Sequence, residues 1–370
     1  MIDREIFELI DKPFEIAPLS SEVVVYGAGN TGRAISSYLA EAGHRVVAFL
    51  DTAAHPGQQV QGVPVYRPAD WPDRQRAPEM DVVVAVHNYG VDMVELLAQV
   101  QRLRFRRTLN MIHFHNLFAD GQPFRFWLAS RAFYRGRERE IEAAALLLGD
   151  AISRRWFNNV LAFRLSGEYG RLPTPSRKDQ YRPADLPRWA NPIRLIDCGA
   201  FNGDTVEALA HAGYEFDAIA AFEPDPDNFV ALATRARRHG PAFCFPCGVA
   251  SSTRMVRFQA GDGMGSREAA EGNMVIQCVA IDDALGGFLP TYVKMDIEGT
   301  ELDALEGARK TIAATRPSLA IALYHQPEHL WEIPLMIASW GLGYRLEIRG
   351  HAYNSFETVL YAFPSGEPGL

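Results

Sequence analysis

The chain has 370 residues, 48% hydrophobic, 11% aromatic and 22% charged, a composition that excludes intrinsic disorder, collagen-like repeats and a disulfide-stapled mini-protein. A net charge of −8 argues against a surface built to bind nucleic acid. Against about 100–200 residues per domain, the length holds two domains and a connector.

In chain order, the first strong signal is a β-branched strand over residues 22–26 that runs into Gly27-x-Gly29-x-x-Gly32, with a helix expected over 33–42. A second strand over 45–50 ends at Asp51, 22 residues after Gly29. A buried-type strand at 81–86 and a helix from about 91 to 103 continue a small parallel α/β sheet. This is the full dinucleotide context, with glycines for the turn and close approach and an acid for a ribose. Gly27, Gly29, Gly32 and Asp51 are therefore candidates for a second nucleotide site, taking a nucleotide, a nucleotide-sugar or NAD. No hydride-transfer partner domain follows, which favours a binding module over a dehydrogenase. A Rossmann-like fold retained only for assembly is the competing reading.

Between residues 101 and 190 the balance changes. Seventeen basic residues face 8 acidic ones, a net +9 that leaves −17 on the rest of the chain. Ile141, Ala145, Leu148, Ile152, Trp156, Val160 and Phe163 keep helical spacing, which predicts one long amphipathic helix. Five prolines between residues 173 and 192 then end any helix. The arginine excess reads either as a solvated surface or as a connector that meets an anion or a second copy of the chain.

A second glycine turn follows. A strand at 194–196 leads into Asp197-x-Gly199-x-x-x-Gly203 and a helix over 206–212, and a strand at 218–222 ends at Glu223. Glycine lets the backbone approach a ligand closely, the helix start offers unpaired N–H groups, and a carboxylate after the second strand can grip a ribose diol. The spacing lacks the pyrophosphate pattern G-x-G-x-x-G, so a methionine-bearing nucleoside fits better than NAD.

From residue 180 to 364 the sequence resembles the FkbM-type family of S-adenosylmethionine-dependent methyltransferases. The resemblance rests on QYRPADLP (180–187), LIDCGAFNGDT (195–205), AFEPDPDNF (221–229), GVASS (248–252) and AIDDAL (280–285). It continues through YVKMDIEGTELDALEGA (292–308), LAIALYHQPEHLWEIP (319–334) and ETVLYAFP (357–364). It implies a seven-stranded doubly wound sheet with an antiparallel last strand, and methyl transfer to oxygen with carbohydrate hydroxyls as acceptors. By position, Asp197, Gly199 and Gly203 would cradle the methionine end of S-adenosyl-L-methionine and Glu223 the ribose. Asp225 and Asn228 would lie close by, and residues 247–250, including Gly248 and Val249, along the adenine. Asp296 would point to where methyl and acceptor meet. Cys198 and Asn202 beside the glycines depart from the family pattern at positions where the backbone makes the contact.

An alcohol acceptor needs a positioned base. Candidates at strand ends are Asp296, His325 after a strand at 320–324, and His351 after a strand at 344–348. Glu298 and Glu301 read as helix-capping or pairing acids. Asp296, Glu298 and His325 could gather a divalent cation, but no compact ligand spacing supports it and no metal is expected. Cys244-x-x-Cys247 reads as ordinary strand thiols, and GDGMGSRE (261–268) as a mobile loop near the acceptor or a hairpin connection.

The expected fold class is α/β: a C-terminal seven-stranded methyltransferase sheet, a smaller N-terminal Rossmann-like domain and a helical connector, with boundaries at 1–115, 116–190 and 191–370. The expected function is O-methyl transfer to a sugar, glycan or nucleotide-sugar-type acceptor. The alternatives are an NAD-linked nucleotide-sugar enzyme and a non-catalytic adaptor in polysaccharide assembly. The expected partners are a small-molecule or glycan substrate, no nucleic acid, and a second copy of the chain through the connector. No run reaches the ~18–20 apolar residues of a membrane span, the N-terminus lacks the form of a signal peptide, and four cysteines suit a reducing, cytoplasmic setting.

Overall fold

The computed structural model describes residues 2–118, 126–175, 179–261, 267–268 and 272–365. Helix α1 (Arg4–Asp11) does not join the sheet that follows it; Ile6 and Ile10 pack into the C-terminal core. The first sheet comprises β1 (Glu22–Tyr26), β2 (Arg45–Leu50), β3 (Gln59–Val60), β4 (Val63–Tyr66), β5 (Asp81–Val84) and β6 (Arg107–Leu109). Its order is β3-β4-β2-β1-β5-β6, parallel except for the β3–β4 hairpin. The continuous valines of β1 and β5 suit strands covered on both faces. Helix α2 (Asn30–Glu41) begins at the glycine turn, and α3 (Met93–Gln101) is capped by Asp92, which accepts from Val94 and Glu95 N–H. Asp81 is buried at the start of β5. Burial opposes its charge, but bonds from Arg106, Arg107 and Ser20 N–H outweigh that and hold the carboxyl below its ordinary range.

After the first sheet come α4 (Met111–Leu117), α5 (Arg131–Tyr134), α6 (Glu138–Leu147) and α7 (Ala151–Ser166). The single long helix expected from the apolar period is two helices. Gly149 N–H donates to Leu346 O at 2.7 Å, and Asp150 caps α7 by accepting from Ser153 N–H, so pairing with the C-terminal sheet overrides helical periodicity. Ile152, placed on the apolar face by spacing, is 44% exposed, while its neighbour Ser153 is buried. Three arginines of this region are engaged within the chain: Arg131 with Leu165 O, Arg135 with Ile10 O, and Arg171 with Glu5 and Glu168.

The C-terminal half opens with β7 (Ile193–Cys198), α8 (Asp204–His211), β8 (Phe216–Phe222), α9 (Pro226–Ala236) and β9 (Ala242–Phe245). Four further strands follow, β10 (Gly248–Val249), β11 (Arg254–Gln259), β12 (Arg267–Glu268) and β13 (Met274–Val279), in a separate sheet ordered β10-β13-β11-β12. The loop expected at 261–268 falls largely on residues 262–266, outside the described residues. Then come α10 (Ile281–Ala284), β14 (Tyr292–Met295), α11 (Glu301–Gly307), α12 (Arg309–Thr315), β15 (Ser318–Ala322), α13 (His329–Ser339), β16 (Tyr344–Gly350) and β17 (Thr358–Pro364). The main sheet is seven-stranded, β16-β17-β15-β14-β7-β8-β9, with β17 antiparallel to both neighbours. The expected α/β class and antiparallel last strand are both present.

The halves meet at the ligand-side edge of the first sheet. Residues after β5 dock on the C-terminal domain, where Tyr353 N–H donates to Tyr89 O and Asn354 Nδ2 donates to Asn88 O. Among the described residues no helix is long and apolar enough to cross a membrane. All four cysteines are free thiols, and burial pushes that of Cys247 up to about 11.

Candidate active site

Strands β7, β8 and β14 end at one edge of the sheet, beside a cavity of about 430 Å³. Gly199, with φ +73°, follows β7; a Cβ there would lie 1.9 Å from Asp296 O, so only glycine fits this turn. Gly203, with φ +85°, is the N-cap of α8. Glu223 lines the cavity, and its two carboxylate oxygens accept from Phe201 N–H at 2.9 Å and Asp225 N–H at 2.8 Å. Each oxygen keeps capacity for another hydrogen bond. Burial pushes the Glu223 carboxyl up to about 7 against the pull of those donors. Asn228, Gly248 and Val249 also line the cavity, with an apolar wall from Val256, Phe258 and Ile276 of the small sheet. Asp225 is drawn into capping α9 and accepting from Gly261 N–H.

Asp197 is fully buried behind the cavity wall, 3.1 Å from Lys294 Nζ. Burial pushes its carboxyl up to about 6 against the attraction of Lys294. Lys294 Nζ in turn donates to Gly199 O at 2.6 Å. The Asp197–Lys294 pair therefore braces the glycine turn from below, and it is Lys294 that reaches the cavity.

At the other end of the cavity, Asp296 follows β14 and accepts a phenol on each oxygen: Tyr181 at 2.8 Å and Tyr324 at 3.1 Å. Tyr181 comes from the proline-rich linker and is held through its carbonyl by Trp189 Nε1 and Tyr292 OH. The Tyr324 hydroxyl also lies 3.3 Å from Glu357 Oε1, and Gln180 Nε2 donates to Glu357 Oε2. Burial, then the charge of Asp296, pushes the Glu357 carboxyl up to about 8. Glu298, a non-glycine residue with φ +59°, completes a group of three carboxylates on the cavity wall.

His325 is buried with Nδ1 2.7 Å from Glu301 Oε1 and Nε2 3.4 Å from Asp296 Oδ1. Burial disfavours its charge, but Glu301 outweighs burial and raises the imidazole to about 10. Glu301 also accepts Ile297 N–H and lies 3.2 Å from His329 Nδ1. The sequence reads Glu301 as capping or pairing along the following helix; it does accept the Ile297 N–H at the helix start, but its side-chain partners His325 and His329 come from beyond β15. Oxygen and nitrogen atoms of Asp296, Glu301 and His325 lie within 4.8 Å of one another, a spacing compatible with a cation. Within the cluster the hydrogen bond runs from His325 Nδ1 to Glu301, while Nε2 faces Asp296 at 3.4 Å.

Of the three candidate bases, Asp296 alone lines the cavity. His325 is off the wall, with Nδ1 taken up by Glu301, which raises its imidazole. His351 is buried elsewhere, with Nε2 2.8 Å from Tyr361 OH and its N–H donating to Glu357 O. Sequence reasoning missed Lys294, Tyr181 and Glu357. Two carried a signal: a lysine inside the apolar strand YVKM, and a glutamate heading the closing strand ETVLYAFP.

In the N-terminal domain, Gly27 has φ +102°, and a Cβ on Gly32 would lie 2.0 Å from Gly27 O, whereas one on Gly29 would meet nothing within 4 Å. Asp51 accepts from Ala28 N–H and Ala53 N–H, both at 2.9 Å. These four residues do not line the cavity described above.

A glycine turn, an acid after the next strand and an apolar slot stand together at the carboxyl edge of a seven-stranded sheet, the edge at which open α/β folds bind ligands. In keeping with that class, residues 197–346 match the family model described as the Methyltransferase FkbM domain. The fold is shared with the crystal structure of Methyltransferase FkbM from Methylobacillus flagellatus KT, with a TM-score of 0.78 and 23% identity. That match covers 98% of this chain and 94% of the other, so it spans both sheets. Fibrillarin from Aeropyrum pernix, solved with natively bound S-adenosyl-L-methionine, matches 49% of this chain and 70% of its own with a TM-score of 0.31 and 12% identity. No curated protein matches the chain.

Proposed function

We propose that the protein is an S-adenosylmethionine-dependent O-methyltransferase whose acceptor is a hydroxyl of a sugar, glycan or nucleotide-sugar-type molecule. The observation that carries this reading is that one cavity has Glu223 at one end and the Asp296–Glu357 pair at the other. Glu223, with a free acceptor position on each oxygen, suits a ribose diol. The slot of Val249, Phe258 and Ile276 suits an adenine, and the Gly199 turn lets a chain pass close to the backbone. When bound, S-adenosyl-L-methionine supplies an electrophilic methyl group on a sulfonium.

The remaining work is alignment and proton removal. Tyr181 and Tyr324 fix the orientation of Asp296, and His325 stands behind it as a cation. Glu357 is linked to Asp296 through the Tyr324 hydroxyl, so the two carboxyl groups act as one proton-accepting unit at the acceptor hydroxyl. Transfer of labelled methyl from S-adenosyl-L-methionine into neutral sugars, cell glycans and nucleotide-sugars tests the reading. Transfer that survives both Asp296→Asn and Glu357→Gln would overturn the assignment of the proton acceptor.

A further inference from the structure

The acceptor end of the cavity is not built by the C-terminal domain alone. Tyr89, from the segment after β5 of the first sheet, lines it. That segment is fastened by its backbone: Asn354, at φ +62°, donates through Nδ2 to Asn88 O at 2.8 Å and Val91 O at 3.1 Å, and Tyr353 N–H donates to Tyr89 O. Glu357 lies three residues further along the chain from Asn354. Beneath the segment, His87 is packed against Trp127 and Phe356 with ring centres 5.0 and 4.9 Å apart. The backbone of Tyr89 is thus anchored while its side chain stays 48% exposed at the cavity. Phe356, one residue before Glu357, lines the same end.

We infer that the N-terminal domain is the acceptor-recognition domain of this enzyme, and that Tyr89 determines specificity by stacking on an uncharged sugar ring. The inference rests on the O-methyltransferase reading and deepens it. A tyrosine has only two side-chain torsions to fix, so stacking on the apolar face of a pyranose costs it little ordering. Asp296, Glu298 and Glu357 on the adjoining wall accept hydrogen bonds from the sugar hydroxyls. Acceptor atoms there suit hydroxyl donors better than a phosphate or carboxylate at the reacting end of the acceptor. Any diphosphate of a nucleotide-sugar must lie away from them.

The test uses the full chain, methyl glycosides of neutral hexoses and 6-deoxyhexoses, and glucuronate and glucose 6-phosphate as anionic probes. Labelled methyl transfer is read for wild type, Tyr89→Ala and Tyr89→Phe, with S-adenosylhomocysteine affinity measured in parallel. The expected result is transfer to a neutral glycoside, with KM raised about tenfold in Tyr89→Ala, kcat little changed and S-adenosylhomocysteine affinity kept. Tyr89→Phe, which retains the ring, restores most of the lost affinity. An unchanged KM in Tyr89→Ala, preference for the anionic probes, or no glycoside methylated by a protein that binds S-adenosylhomocysteine overturns the inference. Failure of wild type to bind S-adenosylhomocysteine instead overturns the methyltransferase reading beneath it.

Discussion

Asp51 and Glu223 occupy matching places in the two halves of the chain. Each follows the second strand of its sheet beside a glycine turn, and each accepts one backbone N–H on each carboxylate oxygen. They differ in what lies opposite. Across from Glu223 stand the small sheet with Phe258 and Ile276, the linker tyrosine Tyr181 and the carboxyl pair of Asp296 and Glu357. Asp51 is not part of that enclosure, and the edge of its sheet is occupied partly by contact with residues 353 and 354. The same glycine turn and acid thus recur in both halves, and the cavity described above is built around Glu223.

The largest effect that separates the halves should come from Asp296→Asn, which is expected to lower methyl transfer about 10²–10⁴-fold while S-adenosylhomocysteine still binds. Asp51→Asn is expected to leave transfer unaffected, and a comparable loss there would break the comparison. Next come the glycines, read by urea unfolding. Gly199→Ala places a Cβ against Asp296 O at positive φ and should cost about 2–3 kcal/mol. Gly32→Ala meets Gly27 O and should behave the same way, whereas Gly29→Ala meets nothing and should stay within about 0.5 kcal/mol. That pattern would show that Gly32 is required for packing whether or not a nucleotide binds.

A smaller effect belongs to the N-terminal fold alone. Asp81→Asn should destabilise it by about 2 kcal/mol, below the full cost of breaking a buried pair because Arg106 and Arg107 are partly exposed. Since the folded-state carboxyl is depressed, this stability is present above its ordinary range and is lost as pH falls below it. The mildest prediction is the pH profile of transfer. With Glu357 raised to about 8, the rate should climb as pH rises through 8, and Glu357→Gln should remove that limb. Its effect on stability has the opposite sign: a raised carboxyl favours folding at low pH, and that contribution is lost as pH rises towards 8.

Much of this arrangement is legible in the sequence because strands covered on both faces are continuous apolar runs. The expected strands at 22–26 and 45–50 coincide with β1 and β2, and those at 194–196 and 218–222 lie inside β7 and β8. The glycine turns are legible for the same local reason. What escapes is long-range. The break between α6 and α7 is set by pairing with Leu346, almost two hundred residues away. Tyr181, Tyr324 and Glu357 meet at Asp296 only through the fold, and His325, expected directly after a strand at 320–324, lies three residues past the end of β15 and turns inward to Glu301. Position after a strand gives access to the edge of the sheet; the neighbour that claims the side chain decides whether it faces the ligand.

Calorimetric titration of S-adenosyl-L-methionine into wild type, Glu223→Ala and Asp51→Ala separates the two acids. The account expects binding by wild type, the same affinity in Asp51→Ala, and a loss of about 100-fold in Glu223→Ala. No response to S-adenosyl-L-methionine, together with tight NAD(H) binding that disappears in Asp51→Ala, would contradict it.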